Sequence, residues 1–159
     1  MKIMRVVLCC VAAAALSAQA QKVCSKGDAA AAEKAIERVV SWPSLQKAYV
    51  DYRHCDSPPI DELYTDALLR LMVEWKNVDS VAAGVAADAE YKAWIHKHLL
   101  SPAAADDRES VYSRAKASCP AKLAAFCGEI AEITKPGKDG PSPNAPLNFD
   151  AIKPITPVK

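Results

Sequence analysis

His54, Cys55 and Asp56 stand side by side, and Asp61, Glu62, Asp66 and Glu74 follow within the stretch HCDSPPIDELYTDALLRLMVEW, residues 54–75. A thiol beside an imidazole is the raw material of a nucleophilic hydrolase. Imidazole, thiolate and carboxylate together are also metal ligands. The spacing favours neither. His54 has no second histidine at His-x3-His spacing, and Cys55 is expected to be oxidised. Further on, WIHKHLL offers His96 and His98. Residues two apart on a helix point to different faces, so this pair cannot share an ion. His98 falls with Trp94, Ile95 and Leu99 on an apolar face and reads as a core histidine bonded to a carbonyl. There is no G-x-S-x-G elbow and no Gly-rich phosphate loop, and the three methionines are too few for a copper site. The expectation is a protein that is not an enzyme and holds no metal or cofactor.

The N-terminus indicates why Cys55 should be oxidised. Lys2 and Arg5 precede a short apolar run, VVLCCVAAAAL, and then AQA at residues 18–20. That run is too short to span a bilayer and ends in small residues, so residues 1–20 read as a cleaved secretory leader. Gln21-Lys22-Val23 before Cys24 lacks the small residues of a lipid-attachment site, so no membrane anchor is expected. The Ala-rich leader looks bacterial and the expected destination is the periplasm. Cys9 and Cys10 leave with the leader, which leaves Cys24, Cys55, Cys119 and Cys127 for two disulfides in an oxidising compartment. If residues 120–130 were one helix, Cys119 and Cys127 would lie about 12 Å apart along it, beyond the roughly 7 Å a disulfide tolerates. Long-range pairs to the N-terminal half are therefore expected.

Scarce glycine, abundant alanine and few β-branched runs favour helix over sheet. Apolar residues recur at helical spacing over residues 28–40, 44–54, 59–75, 88–100, 108–117 and 120–133. A short Gly84-containing piece at 79–87 makes a seventh if it forms. Asp28 is the expected cap of the first helix, and Pro43 suits the first turn of the second. The segment 59–75 should be the central helix, since Ile60, Leu63, Tyr64, Ala67, Leu68, Leu71, Met72 and Trp75 keep i, i+3, i+4 spacing without a miss. Short connections imply an all-α, compact antiparallel bundle of about six helices over residues 21–134. From residue 135 onward, six of the eleven prolines crowd together without periodicity, and an extended or disordered tail over 135–159 is expected.

Each polar residue around Cys55 has a structural task open to it. Asp61 and Glu62 fall in the first turn of the central helix, where the dipole favours negative charge. Asp56 or Ser57 is placed to cap it ahead of Pro58 and Pro59. The chain's charge of +1 turns slightly acidic once Lys2 and Arg5 are removed, and no basic cluster suggests nucleic acid.

Three blocks, CDSPPIDELYTDALLRLMVEW, DAEYKAWIHKHLL and AKASCPAKLAAFC, together resemble the periplasmic all-helical immunity proteins of the type VI secretion amidase-immunity group and their uncharacterised relatives. The matching positions are Cys55-Asp56, Glu62, Tyr64 and Trp75, then Asp88, Tyr91 and His98, then Cys119-Pro120 and Cys127. They span roughly half the chain. Residues 57–59 depart from the Gly-containing turn of that group. The resemblance implies a protein that binds a secreted peptidoglycan amidase and occludes its cleft. The candidate contacts are Asp56, Asp61 and Glu62 in one turn and Asp106, Asp107 and Glu109 in the loop 101–109. A homodimer is the other assembly left open. The alternative reading is a general envelope protein, structural or chaperone-like, with no toxin partner.

Overall fold

A computed structural model describes residues 22–137. The expected leader, and all but the first three residues of the expected tail, lie outside the described residues. What is described is all-helical: α1 (Lys26–Glu37), α2 (Trp42–Tyr52), α3 (Ile60–Glu74), α4 (Val78–Ala87), α5 (Ala89–Leu99), α6 (Arg108–Ala117) and α7 (Ala124–Ile133). Tight 3-10 turns stand at Arg53–Cys55, Pro102–Ala104 and Ala121–Leu123. The short Gly84 segment does form a helix, α4. Its glycine is needed where it stands, because a Cβ there would lie 3.1 Å from the ring of Tyr91 on α5.

Local chemistry sets the helix starts. Ser25, not Asp28, caps α1. The Ser25 hydroxyl accepts from the Asp28 amide at 3.1 Å, and the Asp28 carboxylate accepts from the Ser25 amide at 3.3 Å, a reciprocal capping box. Ser41 and Ser44 form the same device on α2, with Pro43 in its first turn. Trp42 joins that helix, and its indole donates to the Lys76 carbonyl at 2.8 Å.

α3 is the centre. It packs on α1, α2, α5 and α6, and buries Tyr64, Ala67, Leu68 and Met72. It ends in a left-handed residue, Trp75, at φ 55°. That conformation costs a bulky residue about 1–2 kcal/mol. Burial of the ring and an indole bond to the Ser118 carbonyl at 3.1 Å offset it. α5 turns inward the face expected of it: Tyr91, Trp94, Ile95, His98 and Leu99.

The disulfides are Cys24–Cys55, with Cα atoms 4.9 Å apart, and Cys119–Cys127, at 6.0 Å. The second corrects the expectation of long-range pairing. No single helix runs over 120–133. Pro120 is extended, the chain makes a 3-10 turn, and the helix begins only at Ala124. That detour brings Cys119 back beside the first turn of α7, within bridging distance.

Candidate functional site

The segment that raised the question of chemistry is held at several points. Four consecutive residues, Arg53 to Asp56, are each tied to a different point. Arg53 pairs with Glu90 at the start of α5 at 2.7 Å. His54 Nε2 lies 3.7 Å from Asp28 on α1. Cys55 is bonded to Cys24. Asp56 reaches the far end of α5, with Oδ2 2.7 Å from the Lys97 ammonium and Oδ1 3.3 Å from His98 Nε2.

Asp56 therefore points inward, its side chain only 9% exposed, and is not offered to a partner from solvent. Burial opposes its ionisation, but His98 and Lys97 together outweigh that cost and hold the carboxyl below the usual carboxylate range. Asp28 is also held low, first by the Lys22 ammonium at 2.9 Å and then by Ser25.

His98 is a core residue, as expected, but its neighbours are not a carbonyl. Its Nδ1 lies 2.8 Å from the Thr65 hydroxyl, which donates to the Asp61 carbonyl at 2.9 Å. Asp56, His98 and Thr65 thus form an acid–imidazole–hydroxyl chain. Thr65 and His98 are each 1% exposed, so the hydroxyl is closed to an incoming carbonyl and the chain is arranged to hold rather than to attack. His96, on another face, approaches Glu129 of α7 at 3.3 Å, and Lys92 pairs with the same carboxylate at 2.6 Å. Burial lowers the His96 pKa against the pull of Glu129. Among the described residues, no group of three or more His, Cys, Asp or Glu could hold a metal ion. No described helix is long and apolar enough to cross a membrane.

The expected cap of α3 is corrected as well. Neither Asp56 nor Ser57 caps it through a side chain. Instead, the Ser57 carbonyl accepts from the amides of Ile60 at 2.8 Å and Asp61 at 3.2 Å. Ser57, Pro58 and Pro59 are exposed, as is Glu62, and Asp61 is half-buried with its carboxylate on the Glu62 amide at 2.9 Å. The Pro58–Pro59 peptide is cis.

The second candidate segment is only partly loop. Its 3-10 turn buries Ala104 completely, while Asp106, Asp107 and Glu109 stay exposed. Asp106 and Glu109 line an open cleft of about 420 Å³ with Val73, Ser110, Ser113 and Arg114. Val73 lies twelve residues beyond Asp61 on α3, roughly 18 Å at the helical rise. The two acidic patches thus stand toward opposite ends of one helix and are not brought together.

Sequence reasoning missed Arg53, Lys97, Thr65, Asp28 and Glu90 as fasteners. Only the Ser25-x-x-Asp28 spacing carried a readable signal, that of a capping box. Comparison of the chain with known protein families, with curated proteins and with solved structures found no match.

Proposed function

We propose that this protein is a periplasmic, immunity-like inhibitor that binds a secreted peptidoglycan amidase and occludes its cleft. The observation that carries the reading is the exposed turn at residues 57–59, leading into Glu62 and standing on a base anchored by a disulfide and by the ion pairs Arg53–Glu90 and Asp56–Lys97. A loop already held in one shape gives up little entropy when it enters a cleft, and that is how a small protein reaches high affinity from a small contact. Its carboxylates suit a cleft with a basic rim. The two disulfides suit an oxidising, extracytoplasmic compartment. The three sequence blocks that resemble the amidase-immunity group take in Cys55-Asp56, the end of α5 and the Cys119–Cys127 staple, while residues 57–59 are where the chain departs from that group.

The test is protection. Cells carrying the mature protein in the periplasm should survive an amidase encoded beside it, and the purified pair should form a complex. Asp61→Lys with Glu62→Lys should weaken that complex at least tenfold and reduce survival. Both residues sit in the first turn of α3, so the cost to folding is about 0.3–1 kcal/mol each, through the helix dipole. Circular dichroism should show the helices intact. Unchanged protection by the double variant would move the contact to residues 101–109. Failure of the wild type to bind any neighbouring amidase would leave the general envelope reading in its place.

A further inference from the structure

We infer that Asp56 is a positioning residue: its carboxylate spans Lys97 and His98 on α5 and so sets the shape of the exposed turn at residues 57–59 without touching the partner itself. What that turn meets rests on the inhibitor reading above. That Asp56 shapes it does not.

Three observations lead there. The first is geometry. The two carboxylate oxygens are divided, Oδ1 to His98 at 3.3 Å and Oδ2 to Lys97 at 2.7 Å. The Lys97 ammonium also reaches the Asp56 backbone carbonyl at 3.4 Å, so side chain and main chain are gripped by the same residue. The second is burial. Asp56 Oδ1 and His98 Nε2 are both closed to water, and neither has a hydrogen-bond partner of good geometry among the described residues. They lie 3.3 Å from each other, and the carboxylate's charge is met at its other oxygen by Lys97; a buried charge stripped of such a partner is expensive. The third is connectivity. Asp56 is followed at once by Ser57, whose amide donates to the Cys55 carbonyl at 2.8 Å and whose carbonyl accepts from the first two amides of α3. Since no side chain caps α3, the placement of Ser57 is what terminates the helix. The Cys24–Cys55 bridge holds the residue before Asp56 covalently. Loss of the Asp56 contacts should therefore be felt in the turn, the first turn of α3 and the end of α5 that holds Lys97 and His98.

The charged and titratable groups around Asp56 are Lys97 and His98 from α5 and Tyr64 from α3, with the Thr65 hydroxyl behind the imidazole. The Tyr64 hydroxyl is pushed up, first by burial and then by the Asp56 charge. Because the carboxyl of Asp56 is held below its ordinary range, its grip is complete at neutral pH. The grip is lost only as pH falls through that lowered value.

The experiment is amide exchange followed by NMR on the mature protein, corrected for intrinsic rates. Asp56→Asn keeps the shape and removes the charge. The Ile60 and Asp61 amides should exchange at least tenfold faster, while amides in α2 and α7 keep wild-type rates. In the wild type, the amide shifts of Ser57 and Ile60 should follow a transition below the ordinary carboxylate range. That transition should be missing in Asp56→Asn. Should Asp56→Asn not fold, Lys97→Gln serves. Lys97 is half-exposed, so the change leaves the core alone, and it should speed the same two amides and move the Asp56 transition upward. Unaltered exchange and an unaltered transition in the folded variants would overturn the inference. Against the amidase, Asp56→Asn should bind at least tenfold more weakly. Altered exchange with unchanged affinity, while Glu62→Lys weakens binding, would also overturn the positioning role. A wild type that binds no amidase would remove the inhibitor reading and leave the exchange result to decide the role of Asp56.

Discussion

Leu68→Ala is expected to destabilise the fold by about 2–5 kcal/mol, the range for a large-to-small change where neighbours cannot close the gap. Leu68 is fully buried at the middle of α3, with Tyr64 and Met72 one turn to either side and equally inaccessible. α3 is packed on four other helices, so collapse of the cavity would have to pull one of those contacts apart. Urea unfolding should show the loss as a lower midpoint with an unchanged slope. The contrast is Val50→Ala. Val50 lies on α2, is 63% exposed, and should change stability by no more than about 0.5 kcal/mol. A Leu68→Ala loss as small as that at Val50 would mean that α3 is not the centre of the core.

Much of the helical pattern could be read from residue types, and the reason is specific. Along α3 and α5 the positions at i, i+3 or i+4 spacing carry apolar or aromatic side chains apart from Thr65 and His98, so burial on one face is the dominant local force. Tyr64, Leu68 and Met72, and likewise Tyr91, Ile95 and Leu99, are buried as that periodicity requires. Where a single residue outweighs the periodicity, reading by pattern fails. Pro120 cannot continue a helix from Cys119, yet Ala121 to Ala125 are good helix formers, and only the tertiary structure shows where the helix starts. The candidate contacts show the same limit. Asp56, Asp61 and Glu62 look alike on paper as acids near a helix start. Asp56 turns inward because Lys97 and His98, forty-one and forty-two residues away in sequence, stand behind it on α5. Nothing near Asp56 in the sequence encodes that. His98 on an apolar face carried half the clue, since a buried imidazole must find a polar neighbour.

The two disulfides should contribute unequally, and in a predictable order. In the loop-entropy account, closing the 31-residue separation of Cys24–Cys55 is worth about 3.7 kcal/mol and closing the 8-residue separation of Cys119–Cys127 about 2.5 kcal/mol. Position should widen that gap. Cys24–Cys55 joins the start of α1 to the segment where His54 and Asp56 also make their contacts, so opening it loosens those contacts along with the chain. Cys119–Cys127 fastens only the end of α6 to α7, which already pack closely against each other. Thermal unfolding of Cys24→Ala with Cys55→Ala should therefore show the larger drop in midpoint, and Cys119→Ala with Cys127→Ala the smaller. Titration of the denatured, unreduced wild-type protein should find no free thiol among the four. Equal losses, or a larger loss from the Cys119–Cys127 pair, would mean that α1 is held by its packing on α3 and that the bridge beneath the exposed turn adds little to it. In that case the side-chain contacts of Arg53, His54 and Asp56 would be the main restraint on the turn, and the Asp56→Asn effect on exchange should be larger still in the protein lacking Cys24–Cys55.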